Sequence, residues 1–144
     1  MSTTQIQVCE QKEKNMPIRK ELSVALPNKP GKLAAVTSAL ARGKVNLLAV
    51  DVASGLEYST VRLLADNPAH AKAVLKKNKI EATESTVLCV NVKDEMGALA
   101  RVAGILGRAK INIDYIYVTT GKQGGEAMLV IHASDIKKAA RLLE

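Results

Sequence analysis

Two stretches of the chain combine residue types and spacing suited to holding a small charged group: Asn28-Lys29-Pro30-Gly31-Lys32-Leu33 and Asp94-Glu95-Met96-Gly97-Ala98-Leu99. In each, Asn or Asp stands three residues before Gly, and an apolar pattern of helical spacing follows. A helix that begins there points its first backbone N–H groups outward with partial positive charge, which suits a carboxylate. Glycine has no Cβ to hold such a group away. Asp94, the side chain of Asn28 or a loop carbonyl can accept from an ammonium group. Further on, Asn46 and Asn112 stand where a strand begins and offer both a donor and an acceptor. The plainer alternative is that Asn28, Gly31, Asp94 and Gly97 shape a strand-to-helix turn and that Asn46 and Asn112 cap the strand that follows. Residue types alone leave both open.

No other grouping in the sequence suggests reaction chemistry. His70 and His132 read as isolated, no Ser/His/Asp or Cys/His set is indicated, and neither a phosphate loop nor zinc-ligand spacing occurs. The expectation is therefore no enzyme, no catalytic residues, no metal and no cofactor. Cys9 and Cys89 are too few and too far apart for a disulfide framework, and Cys89, inside a strand pattern, is expected to be a buried thiol.

The two loops are parts of a repeat. A shift of 66 residues lays Leu22 on Leu88, Val24 on Val90, Gly31 on Gly97, Leu33 on Leu99, Ala34 on Ala100, Val36 on Val102 and Leu40 on Leu106, and carries Arg42, Lys44 and Asn46 onto Arg108, Lys110 and Asn112 without a gap. Leu22, Val24 and Leu26, like Leu88, Val90 and Val92, alternate as in a half-buried strand. Leu33, Val36 and Leu40, like Leu99, Val102 and Leu106, then share one helix face. Val45-Asn46-Leu47 and Ile111-Asn112-Ile113 open a second strand rich in β-branched and apolar residues.

Taken in order, the first copy gives strands over 19–26, 45–52, 57–65 and 80–85, with helices over 31–42 and 69–77; Asp66-Asn67-Pro68 is a helix start. The second gives strands over 87–92, 111–119 and 126–132, a hairpin turn over 121–125, and helices over 98–108 and 134–143. The order β-α-β-β-α-β is that of a ferredoxin-like α+β module, an antiparallel sheet with both helices on one face. Two such modules in tandem are expected, 18–85 and 86–144, the second lacking its own last strand. Residues 1–17 form an extension in which Ile6 and Val8 alternate with Gln5 and Gln7. Either a strand near 5–9 fills the vacant sheet edge, here or in a partner, or the extension is a polar leader and the edge stays open.

A chain of 144 residues with 47% hydrophobic residues can build two small aliphatic cores; it has no Trp or Phe and only Tyr58, Tyr115 and Tyr117. It contains no run of about 18 apolar residues, and its start has no signal-peptide pattern, so a soluble cytoplasmic protein with no membrane role is expected. The net charge of +7 raises nucleic acid as a partner. The basic residues are spread, however, and the densest group, Lys72, Lys76, Lys77 and Lys79, reads as the solvated side and end of one helix. Aromatic stacking platforms are missing, which argues against a single-strand binder.

The paired loops, each followed by its helix and by Asn46-Leu47 or Asn112-Ile113, resemble the ACT domain family, small βαββαβ modules that bind amino acids and regulate metabolic enzymes. The resemblance runs from residue 18 to the end and is closest to small tandem-ACT proteins without a catalytic domain, which also carry an aromatic strand like Asp114-Tyr115-Ile116-Tyr117. It implies a free amino acid as ligand, held at Asn28, Pro30, Gly31, Lys32 and Leu33 with Asn46, and at Asp94, Met96, Gly97, Ala98 and Leu99 with Asn112, Ile113 and Asp114. It further implies sites shared between the loop of one module and the second strand of another, a homodimer or other homo-oligomer, and control of assembly or of a partner enzyme. The copies differ, Leu48-Ala49 in one standing where the other has Asp114-Tyr115. The more polar site is expected at the second loop, with Asp94 or Asp114 taking the ammonium group, while Tyr115 and Tyr117 pack. Two alternatives stay open: a regulatory subunit without its own ligand response, and a basic ferredoxin-like nucleic-acid binder.

Overall fold

The computed structural model describes residues 18–121 and 124–144. Its elements are β1 (Ile18–Pro27), α1 (Lys32–Arg42), β2 (Leu47–Ala53), β3 (Tyr58–Ala65), α2 (Pro68–Lys77), β4 (Thr83–Lys93), α3 (Ala98–Arg108), β5 (Ile113–Thr120), β6 (Glu126–Ala133) and α4 (Ile136–Leu142). They fall into two compact units, one of residues 20–85 and one of residues 86–144 that also takes in Ile18 and Arg19 at the start of β1. The expected strand near residues 5–9 lies outside the described residues, as do two positions of the 121–125 turn.

In the first unit β3 is central, antiparallel to β1 and to β2. Period-two alternation puts Leu22 and Val24 of β1 and Val61, Leu63 and Ala65 of β3 on one face of the sheet. There they meet Val36 and Leu40 of α1 and Ala71, Val74 and Leu75 of α2 in one core. The second unit repeats the plan, with β6 antiparallel to β4 and to β5. Its core joins Leu88, Leu129 and Ile131 of the sheet to Val102 and Leu106 of α3 and Ala139 and Ala140 of α4. Leaving water stabilises each fully buried Leu or Ile by roughly 1.5–3 kcal/mol, so the aliphatic repeat supplies two cores without large aromatic rings.

Three helices end alike. In α1 the N–H of Lys44 donates to Ala41 O (3.0 Å) and that of Val45 to Leu40 O (2.9 Å). Lys110 and Ile111 do the same on Gly107 and Leu106, and Lys79 and Ile80 on Lys76 and Leu75. Lys44, Lys79 and Lys110 accordingly take φ of 59°, 60° and 59°. This is the Schellman ending, in which a left-handed residue satisfies the last carbonyls; here lysine stands where glycine is commonest.

Several sequence expectations shift. Val45 belongs to the helix ending and Asn46 lies outside any strand, so β2 begins at Leu47. No separate strand covers 80–85: residues 80–82 lie outside any strand, and β4 runs unbroken from Thr83 to Lys93. Leu33 and Leu99, expected on the buried helix face, are 41% and 48% exposed. The inner face is carried instead by Val36, Ala39 and Leu40 in α1 and by Ala98, Val102 and Leu106 in α3. Cys89 is half-buried.

Candidate functional site

The two loops are built almost identically. After β1, the N–H of Asn28 donates to Glu57 O (2.8 Å); after β4, that of Asp94 donates to Gly125 O (2.8 Å). Each loop then turns through a left-handed glycine, Gly31 at φ 84° and Gly97 at φ 85°, which is the helix N-cap. A Cβ on either would meet no atom within 4 Å, so these glycines answer to backbone conformation, and the space above them is open. Neither helix has a side-chain cap. The other two helices have one: Asn67 accepts from His70 N–H at α2 and Asp135 from Lys138 N–H at α4. The first turns of α1 and α3 thus keep outward N–H groups with partial positive charge, beside exposed Pro30, Lys32 and Leu33 in one loop and exposed Met96 and Leu99 in the other. Ala98 is the exception, buried in the second module.

The acceptors differ. Asn28 Nδ2 donates to Gly55 O (3.0 Å), which occupies the amide nitrogen and leaves Oδ1 as its acceptor. Asp94 is exposed, and its neighbour Glu95 faces Lys93 (3.9 Å) and Arg101 (3.7 Å).

Asn46 and Asn112 occupy matching places at the other end of their sheets. Asn46 O accepts from Asp66 N–H (3.0 Å) and Asn112 O from Ser134 N–H (2.9 Å). Beyond each lies a β-bulge, between Leu47 and Ala49 in β2 and between Ile113 and Tyr115 in β5. The extra residues, Leu48 and Asp114, hold equivalent places in the two copies, one apolar and the other acidic. A bulge re-aims a side chain that the pleat would otherwise fix. Here Asp114 Oδ1 accepts from Asn112 Nδ2 (2.9 Å) and Oδ2 from His132 Nδ1 (2.9 Å). The His132 ring stacks on Tyr115 with centroids 4.9 Å apart and planes 14° apart. Ser134 Oγ accepts the Asn112 N–H (2.9 Å) and steadies the group from below. His132 is therefore not isolated, as its place in the sequence suggested; strand register brings it to Asp114. His70, by contrast, is exposed and bonds Gly43 O through Nε2 (2.7 Å).

Within one module the two halves of the expected site stay apart. In the second, Lys93, just before the loop, pairs with Glu126 at the start of β6, whereas Ile113 pairs with Ala133 at its end. Seven strand residues separate these places, roughly 20 Å. The first module has the same separation, Pro27 pairing with Tyr58 and Leu47 with Ala65. Asp94 and Asp114 therefore lie towards opposite ends of the sheet. Among the described residues no group of three or more His, Cys, Asp or Glu is placed to hold a metal ion, and no helix is long and apolar enough to cross a membrane.

Two βαββα units, each with an uncapped glycine turn between its first strand and first helix, make up a tandem α+β architecture. The family model for an ACT domain pair matches residues 16–143, and the chain belongs to that family. Among solved structures, protein BT0572 from Bacteroides thetaiotaomicron is 31% identical, with a TM-score of 0.81 over 88% of this chain and 87% of that one. The regulatory subunit of aspartate kinase from Thermus thermophilus shares the fold at 14% identity and a TM-score of 0.62, over 87% of this chain and 93% of that one. Its Thermus flavus counterpart does so at 16% identity and 0.59, over 88% and 92%. No curated protein matches the chain.

Proposed function

We propose that this ACT-domain pair is an amino-acid-responsive regulatory protein, with residues 18–85 and 86–144 as its two modules and no catalytic role of its own. The observation that supports it best is the matched pair of uncapped helix starts, each opened by a left-handed glycine with free space above it. Such a start receives the ligand carboxylate on backbone N–H groups. Asn46 or Asn112, with Asp114, lines the other half. Each module holds these halves at opposite sheet ends, so neither module closes a site by itself. A ligand bound only to the assembled form stabilises that form by RT ln(1 + [L]/Kd), about 2.7 kcal/mol at a hundredfold excess over Kd. That gain is how a small molecule would control assembly, a homodimer included, or a partner enzyme.

The reading is tested by thermal unfolding against each of the twenty amino acids at millimolar concentration. A rise in Tm with one amino acid or a few related ones is expected, lost in folded Gly97→Val and Asn112→Ala variants. No rise with any of them would overturn it. A second reading, a regulatory subunit without a ligand response, finds support in exposed Val50 and Val52 on the edge strand β2. Co-purification of a catalytic chain would favour it. Nucleic acid binding has less support, since Lys72 of the basic cluster is paired with Glu84 (3.1 Å).

A further inference from the structure

We propose that His132 is the residue by which the second module recognises an amine: its Nε2 accepts a hydrogen bond from the ammonium group of the ligand. The inference rests on the reading that Asn112 and Asp114 face that ligand, and adds to it the group that discriminates. An ionised aspartate can only accept, so the bond to Asp114 Oδ2 puts the imidazole proton on Nδ1. In the neutral ring Nε2 then carries a lone pair. Nothing among the described residues takes it up, and the side chain is one third exposed. The ring is held by its stacking on Tyr115, and Asp114 by Asn112 and the bulge, so Nε2 is presented in a set direction. Preorganisation of this kind is what a specificity contact needs, because little freedom remains to be lost on binding.

The first module supplies an internal contrast. Strand register puts Leu48, Ala49 and Leu64 where the second has Asp114, Tyr115 and His132. Leu64 is fully buried. That half-site has no acceptor of this type, so this contact with the amine is confined to the second.

The test compares wild type with His132→Asn, which keeps an N–H towards Asp114 but has no Nε2, and with His132→Gln, whose carbonyl can stand in for Nε2. The probes are the amino acid giving the largest Tm shift and the carboxylic acid of the same skeleton lacking the amine. Wild type should prefer the amine by about tenfold or more. His132→Asn should lose the preference while keeping its affinity for the amine-free acid, and His132→Gln should keep it. A folded His132→Asn with the wild-type preference would overturn the proposal. So would an equal loss of affinity for both probes, which marks a merely structural role. If His132→Asn does not fold, a wild type that binds both probes equally would overturn it alone. A wild type that responds to no amino acid removes the functional reading itself, an outcome distinct from these.

Discussion

At the scale of single residues, three glycines stand for two different demands. Gly31 and Gly97 answer to backbone conformation: a Cβ would touch nothing, but φ near 84° costs any other residue roughly 1–2 kcal/mol. Gly97→Ala is therefore expected to lower stability by about that amount, read as a shift in the urea midpoint. Gly43 answers to space. A Cβ there would lie 2.6 and 2.7 Å from the two methyl groups of Val74. Valine is stiff about χ1 and cannot swing aside, so Gly43→Ala should cost about 1–3 kcal/mol. Most of that loss should be recovered in the double variant with Val74→Ala, measured as a double-mutant cycle. A simple sum of the two single effects would contradict the assignment of the cost to this contact.

At the scale of elements, the lysine helix endings make a separate prediction. Lys44, Lys79 and Lys110 sit in the left-handed region that glycine occupies without cost. Lys44→Gly and Lys110→Gly should each stabilise the protein, by up to about 1 kcal/mol once the extra entropy of glycine in the unfolded chain is subtracted. Denaturant unfolding of each variant checks this, and a loss of stability would contradict it. The same endings show what could be read from the sequence and what could not. Strands, helices and their order followed from alternation and from i, i+3 and i+7 spacing, because burial on one face imposes those periods. The endings were hidden, since lysine is not a left-handed residue by preference and only the neighbouring bonds reveal it. Leu33 and Leu99 misled for a related reason: spacing marks a face but not how far the core extends along it. The loops were legible because glycine and Asn or Asp at fixed spacing are rare demands of the backbone. The Asp114, His132 and Tyr115 group was not, because a cross-strand register and a bulge, neither written in local sequence, join residues 18 apart.

At the scale of the whole molecule, duplication produced two modules with one architecture and unequal chemistry. Both keep the uncapped glycine turn, as expected if each contributes a loop to a ligand site. Only the second carries polar side chains at its bulge, where the first is apolar. A regulatory protein gains from such inequality, since a change at one site type can be tuned without disturbing the other. The most direct measurement of the central claim is backbone hydrogen exchange with and without saturating amino acid. The account predicts added protection concentrated at the first-turn amides of α1 or α3, Leu33 and Ala34 or Leu99 and Ala100, together with the segment from Asn112 to Tyr115. Protection confined to other parts of the chain, or none with any of the twenty amino acids, would contradict it.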